Sequence, residues 1–146
     1  MMKKNLLTIL VLCIFTTAVQ AAVNKVAVVD MQKVVNKSAQ VQALKREQEN
    51  KRKELAQFIK KAGDDIKKQT NEASKKAVAQ KYDKELKIKQ EANAKAYKTK
   101  LDAIDKSINT TIAQQAKLMG YDMVFVKGAV LYGATDITDS ILKVIK

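Results

Sequence analysis

From Leu44 to Met119 apolar residues recur at steps of three and four, and no proline interrupts them. The stripe runs through Leu44, Leu55, Ile59, Ala62 and Ile66, then through Val78, Tyr82, Leu86, Leu101, Ile104, Ile108, Ile112 and Met119. Alanine, lysine, glutamate and glutamine fill most other positions, and all are good helix formers. Lys51, Lys89 and Asn93 fall on the stripe itself, which is poor for a globular core and usual for a thin two-helix coiled coil. The best break is "KKQTNEASKK" over residues 67–76, where Thr70, Asn71 and Ser74 are turn and capping residues. A turn at 69–74, with Thr70 or Ser74 capping the second helix, is preferred over one at Gly63 because it lies midway between the apolar ends. Helices of roughly 30 and 45 residues would extend roughly 45 Å or more.

The flanks differ from this segment in composition. Residues 44–100 hold 18 Lys/Arg against 9 Asp/Glu, while "KVAVVDMQKVV" at 25–35 and "YDMVFVKGAVLYGATDITDSILKVIK" at 121–146 are apolar and β-branched. Val26 to Val29 is a short apolar run without alternation, as in a strand covered on both faces. Residues 123–126 and 129–132 read as a β-hairpin closed by Lys127-Gly128, with Gly128 supplying positive φ. Asp136 is the expected N-cap of a short C-terminal helix, with Asp139 complementing its dipole. The fold class is therefore α+β, a small β-sheet body carrying a long antiparallel helical hairpin. Residues 22–43 and 120–146 form the body and oligomerisation region, and 44–119 the coiled-coil arm with its tip near 69–74.

The N-terminus bounds the chemistry. Lys3 and Lys4, an apolar run over residues 6–19 and the small Ala21 match the three parts of a secretory signal peptide, with cleavage expected after Ala21. The run is too short for the roughly 20 residues that cross a bilayer. A mature chain starting at Ala22 has 125 residues, 26 basic against 15 acidic side chains, and neither cysteine nor histidine. Thiolate nucleophiles, disulfides, imidazole bases and zinc–thiolate sites are excluded for such a chain. The neighbouring carboxylates Asp64 and Asp65 read as a solvated helix face, so no enzymatic activity, metal or other cofactor is expected.

The strand "VAVVDM", the mixed-charge helical hairpin, and "YDMVFV", "AVLYGATDIT" and "ILKVIK" in that order resemble the Skp/OmpH family of periplasmic chaperones. The resemblance covers the whole mature chain and is most specific at Val26 to Met31 and Tyr121 to Leu142. It implies a jellyfish-like homotrimer, with a joined β body and arms around a cavity. It also implies a periplasmic, ATP-independent holdase for unfolded outer-membrane proteins. Lipopolysaccharide is a further partner raised by the family, but an arm with only Arg46 and Arg52 does not match the arginine-rich pattern, so no residues are assigned to it; an anionic membrane surface is a partner suggested by the lysines themselves.

Within that frame Val26, Val28, Val124 and Val126 are the expected oligomer core, and Lys67, Lys68, Lys75 and Lys76 the basic tip. At 100° per residue Leu55, Ile59, Ala62 and Ile66 line up, leaving Phe58 to one side and Ile88 further out, so these two are expected to face the cavity and touch the client. The alternatives are a basic coiled-coil envelope adaptor or a nucleic-acid-binding protein, since the sequence pI is about 9.8. Export removes physiological nucleic acid, and Phe58, Tyr82 and Tyr97 are few stacking partners for it.

Overall fold

A computed structural model describes residues 24–145, so the expected signal peptide over 1–21 lies outside the described residues. The chain runs β1 (Val26–Val29), α1 (Met31–Lys37), α2 (Ala39–Lys67), α3 (Glu72–Leu118), β2 (Met123–Val126), a 3-10 turn (Lys127–Ala129), β3 (Thr135–Asp136) and α4 (Thr138–Leu142). No helix among the described residues is long and apolar enough to cross a membrane.

Local signals start and stop the helices. Asp30 caps α1 by accepting from the Lys33 N–H at 3.1 Å. Buried Ser38 breaks α1 from α2 and caps the latter, accepting from Val41 N–H. α2 thus begins at Ala39, earlier than the periodicity from Leu44 indicates. It ends at Lys67, and α3 is capped by Asn71, whose Oδ1 accepts from Ser74 N–H at 2.8 Å. Asn71 takes the capping role expected of Thr70 or Ser74, because the turn is only four residues long and Ser74 already lies inside the helix. Gly63 is helical.

The three strands make one sheet in the order β2-β1-β3, and both pairings are parallel. This corrects the expected hairpin: residues 123–126 and 129–132 do not pair. Lys127–Ala129 forms a 3-10 turn, and Gly120 and Gly133, not Gly128, carry positive φ. β1 is the reason. Its four apolar residues are buried or half-buried, and as the central strand it is paired on both edges, whereas a hairpin would leave one edge open. Val26 faces Met123 and Val29 faces Val126, and Ala27 and Val28 pair with Thr135 and Asp136. Lys25 N–H donates to Asp122 Oδ2 at 2.8 Å, and Asp122 N–H returns a bond to Lys25 O at 2.9 Å, which sets the register at one end.

Helices cover one face. Ala27, Val29, Val34, Ile108, Ile112, Ala116, Ile137 and Ile141 form a single buried cluster, so the last turns of α3 belong to the body as much as to the arm. Ile137, not Asp136, stands at the N-cap position of α4, yet the Asp136 carboxylate performs a cap's work from one residue earlier, accepting from Thr138 N–H at 2.9 Å. It also accepts from the Thr138 hydroxyl and pairs with Lys127 Nζ at 2.7 Å, while Asp30 N–H donates to that same hydroxyl at 2.9 Å.

The Lys127 ammonium, then the two Thr138 donors, hold the Asp136 carboxyl well below the usual carboxylate range. A depressed folded-state value means the stabilisation is complete above the unfolded value of about 4 and fades as pH falls below it. Asp136→Asn should therefore cost about 1 kcal/mol at neutral pH and much less at pH 2, shrinking the gap between the two proteins' melting curves on acidification. Thermal unfolding followed by circular dichroism between pH 7 and 2 checks this.

Candidate functional site

The arm is α2 and α3 packed antiparallel. α2 contributes Leu44, Gln48, Lys51, Leu55, Phe58, Ala62 and Asp65, and the turn adds Gln69, all buried or half-buried and spaced by alternating steps of four and three. That is a coiled-coil seam, and it corrects the expected line through Ile59. A seam that steps four from Lys51 to Leu55 must step three next, onto Phe58, because its period is 3.5 residues and not 3.6. Ile59 is left 53 % exposed, and Phe58 turns inward.

Near the tip the seam holds an aromatic and polar cluster. The Phe58 and Tyr82 rings meet edge to face at 5.3 Å, and Lys89 Nζ lies 5.2 Å from the Phe58 centroid. Tyr82 donates its phenolic hydrogen to Asp65 Oδ2, and Lys68 pairs with the other carboxylate oxygen at 3.2 Å. Asp65 is thus a half-buried cross-arm acceptor and not the solvated acid that its neighbour Asp64 suggests. The Tyr82 hydroxyl and then Lys68 shift its carboxyl downward, and the same bond raises the phenol. The two residues lie 17 apart across the turn, so the bond fixes how the helices are staggered.

Further from the tip the arm closes loosely. Between Lys87 and Ala103 every α3 side chain is exposed except half-buried Asn93. Contacts there are polar: Asn93 Nδ2 donates to Gln48 Oε1 at 3.5 Å, and Lys100 pairs with Glu47. Packing resumes at Ile104, Ile108 and Ile112.

The residues singled out by sequence fall in three places. Ile88 is 65 % exposed among lysines, whereas Phe58 is shared with the seam. Lys67, Lys68, Lys75 and Lys76 ring the turn; Lys68 and Lys75 pair locally, three residues away, with Asp65 and Glu72, and Lys67 and Lys76 form no ion pair among the described residues. On the sheet Val28 is buried within the chain, Val26 and Val124 are half-buried, and Val126 on edge strand β2 is more than half exposed.

Sequence reasoning missed the apolar surface beside that edge. Leu131 and Tyr132 are almost fully exposed, and Phe125, Met123 and Leu118 are open to solvent nearby in the chain. Their apolar character reads as strand core, and only the parallel pairing puts residues 130–134 outside the sheet. The Tyr82–Asp65 bond was also missed, though a step of seven from Phe58 would have placed Asp65 on the same seam.

A family model described as "Outer membrane protein (OmpH-like)" matches residues 25–145. A search of curated proteins returned no match.

Proposed function

The chain belongs to the OmpH-like outer membrane protein family, and from that premise we propose that it is a periplasmic, ATP-independent holdase for unfolded outer-membrane proteins. That family is one of periplasmic chaperones that bind outer-membrane proteins, not one of enzymes. The observation that carries the reading is the arm itself. Ile59, Ile88, Tyr97 and Leu101 stand exposed along a lysine-rich two-helix rod that grows out of a small body. Such a surface offers weak, scattered apolar contacts under a positive field, which holds a chain without templating its fold.

The body supports assembly. Edge strand β2 and the exposed Phe125, Val126, Leu131 and Tyr132 form apolar surface that a second and third copy can cover, and three arms around one space would surround a client. Sedimentation of the mature protein, alone and with a urea-unfolded outer-membrane β-barrel, tests the reading. A homotrimer that keeps the barrel soluble is the expected result; a protein that leaves barrel aggregation unchanged overturns it.

Two residue-level expectations belong to this reading. Ile88 touches the client while contributing little to the arm, so Ile88→Ser should leave helix content and melting unchanged yet raise client aggregation measured by light scattering. Phe58 joins it in the contact, but Phe58→Ser also removes the Tyr82 partner and should lower melting. The tip lysines act on rate. Changing Lys67, Lys68, Lys75 and Lys76 together to Gln should slow client capture several-fold at low ionic strength and converge with wild type at high salt, as read by stopped-flow fluorescence. Equal rates at both salts would reduce them to solubilising groups.

A further inference from the structure

An open groove of about 630 Å³ runs between α2 and α3 at mid-arm, and we infer that it binds short stretches of unfolded chain in which an apolar side chain stands next to a carboxylate. The inference rests on the holding function proposed above and names what the arm selects. One wall carries Leu55 and Phe58; the other carries Ala92 and Ala96, too small to reach across. The seam is therefore incomplete at this level, with an apolar floor that an incoming side chain can finish.

The rim decides which chains enter. Its acids are already neutralised, Glu54 by Lys51 at 2.7 Å and Glu47 by Lys100. Lys61 and Lys89 also line the groove and form no ion pair among the described residues. An entering carboxylate meets two ammonium groups without an ion-pair partner among the described residues, whereas an entering amine meets no free acid. Lys89 Nζ stands 5.2 Å from the Phe58 centroid, so a carboxylate bound there brings its neighbouring side chain onto that ring. Apolar and acidic recognition are thus about one residue apart. A second copy's arm, itself lysine-rich, is the wrong charge for this rim.

The test uses the assembled protein and three fluorescein-labelled ten-residue peptides. One alternates Leu and Glu, the second has Lys for Glu, and the third Ser for Leu. The Leu/Glu peptide should bind at least about ten-fold tighter than either control. Ala92→Leu with Ala96→Leu fills the groove and should weaken that binding about ten-fold. Lys61→Gln with Lys89→Gln removes the two unpaired rim charges, and with them the Lys89 contact on the Phe58 ring; with helix content checked by circular dichroism, it should weaken binding about three- to ten-fold and reduce its salt dependence. Equal binding of the three peptides, or unchanged binding in both variants, overturns the inference. So does displacement of the peptide by phosphatidylglycerol vesicles, which would make the site a lipid site, or a changed sedimentation coefficient in the filled variant, which would make it a subunit contact. An unfolded outer-membrane β-barrel run alongside separates the two claims. If wild type fails to hold the barrel, the holding function falls; if it holds the barrel but treats the peptides alike, only the groove falls.

Discussion

Val28→Asp should abolish the folded body. Val28 is 6 % exposed at the centre of the middle strand, and its Cα partners are Phe125 on one side and Asp136 on the other. An uncompensated charge there costs several kcal/mol, a large part of the whole stability of a domain this small. The new carboxylate would also stand next to the Asp136 carboxylate, which already engages Lys127 and both Thr138 donors, and the two like charges would repel. Gel filtration should show monomer or aggregate, and circular dichroism should retain some helix from the arm without a cooperative melt. A protein that melts within a few degrees of wild type and keeps its oligomeric state would mean that the strand is not the centre of the assembly.

Removing the outer arm should have the opposite profile. Residues 52–92 can be replaced by a short Asn-Gly turn joining Lys51 to Asn93, close to where Gln48 and Asn93 already meet across the arm. All members of the buried cluster lie outside the deleted stretch, as do all three strands. The shortened protein should assemble like wild type and melt cooperatively, yet lose nearly all protection of a diluted, urea-unfolded β-barrel in an aggregation assay. Failure to assemble would show that the arm contributes to the body, and full protection would move the client site onto the body.

How far these features could be read in advance depended on the distance over which each is decided. The arm was legible because a proline-free three-and-four pattern and a cluster of Thr70, Asn71 and Ser74 are local signals. β1 was legible too, since four consecutive apolar residues can hardly face water. Its partners were not. β3 is two residues long, and whether Thr135 pairs with Ala27 or Ala129 pairs with its own neighbours is decided by what β1 needs on its second edge. The seam failed for a subtler reason. Phe58 and Ile59 sit symmetrically about Leu55 on a helix surface, and only the accumulated 3.5-residue period from Leu44 chooses between them. The groove beyond Phe58 then follows from the stagger fixed by Tyr82 and Asp65, which no single helix encodes. The residues proposed to touch a client divide in the same way: Ile88 stands clear of the seam, whereas Phe58 serves the seam as well.

The joining of β1 to β2 and β3 bears on when the molecule can come into being. Lys25 and Asp122 are 97 residues apart in the chain, and Ile141 must arrive before the cluster around Ala27 can close. The contacts that make the body are thus the most distant ones available, whereas α2 and α3 zip together through a four-residue turn. A chain emerging N-terminus first can form helix pairs early, and their pairing brings β1 and β2 together and shortens an otherwise long loop closure. The body cannot close until Ile141 is free. An interrupted chain that ends before β3 and α4 therefore yields a helical arm without a closed body.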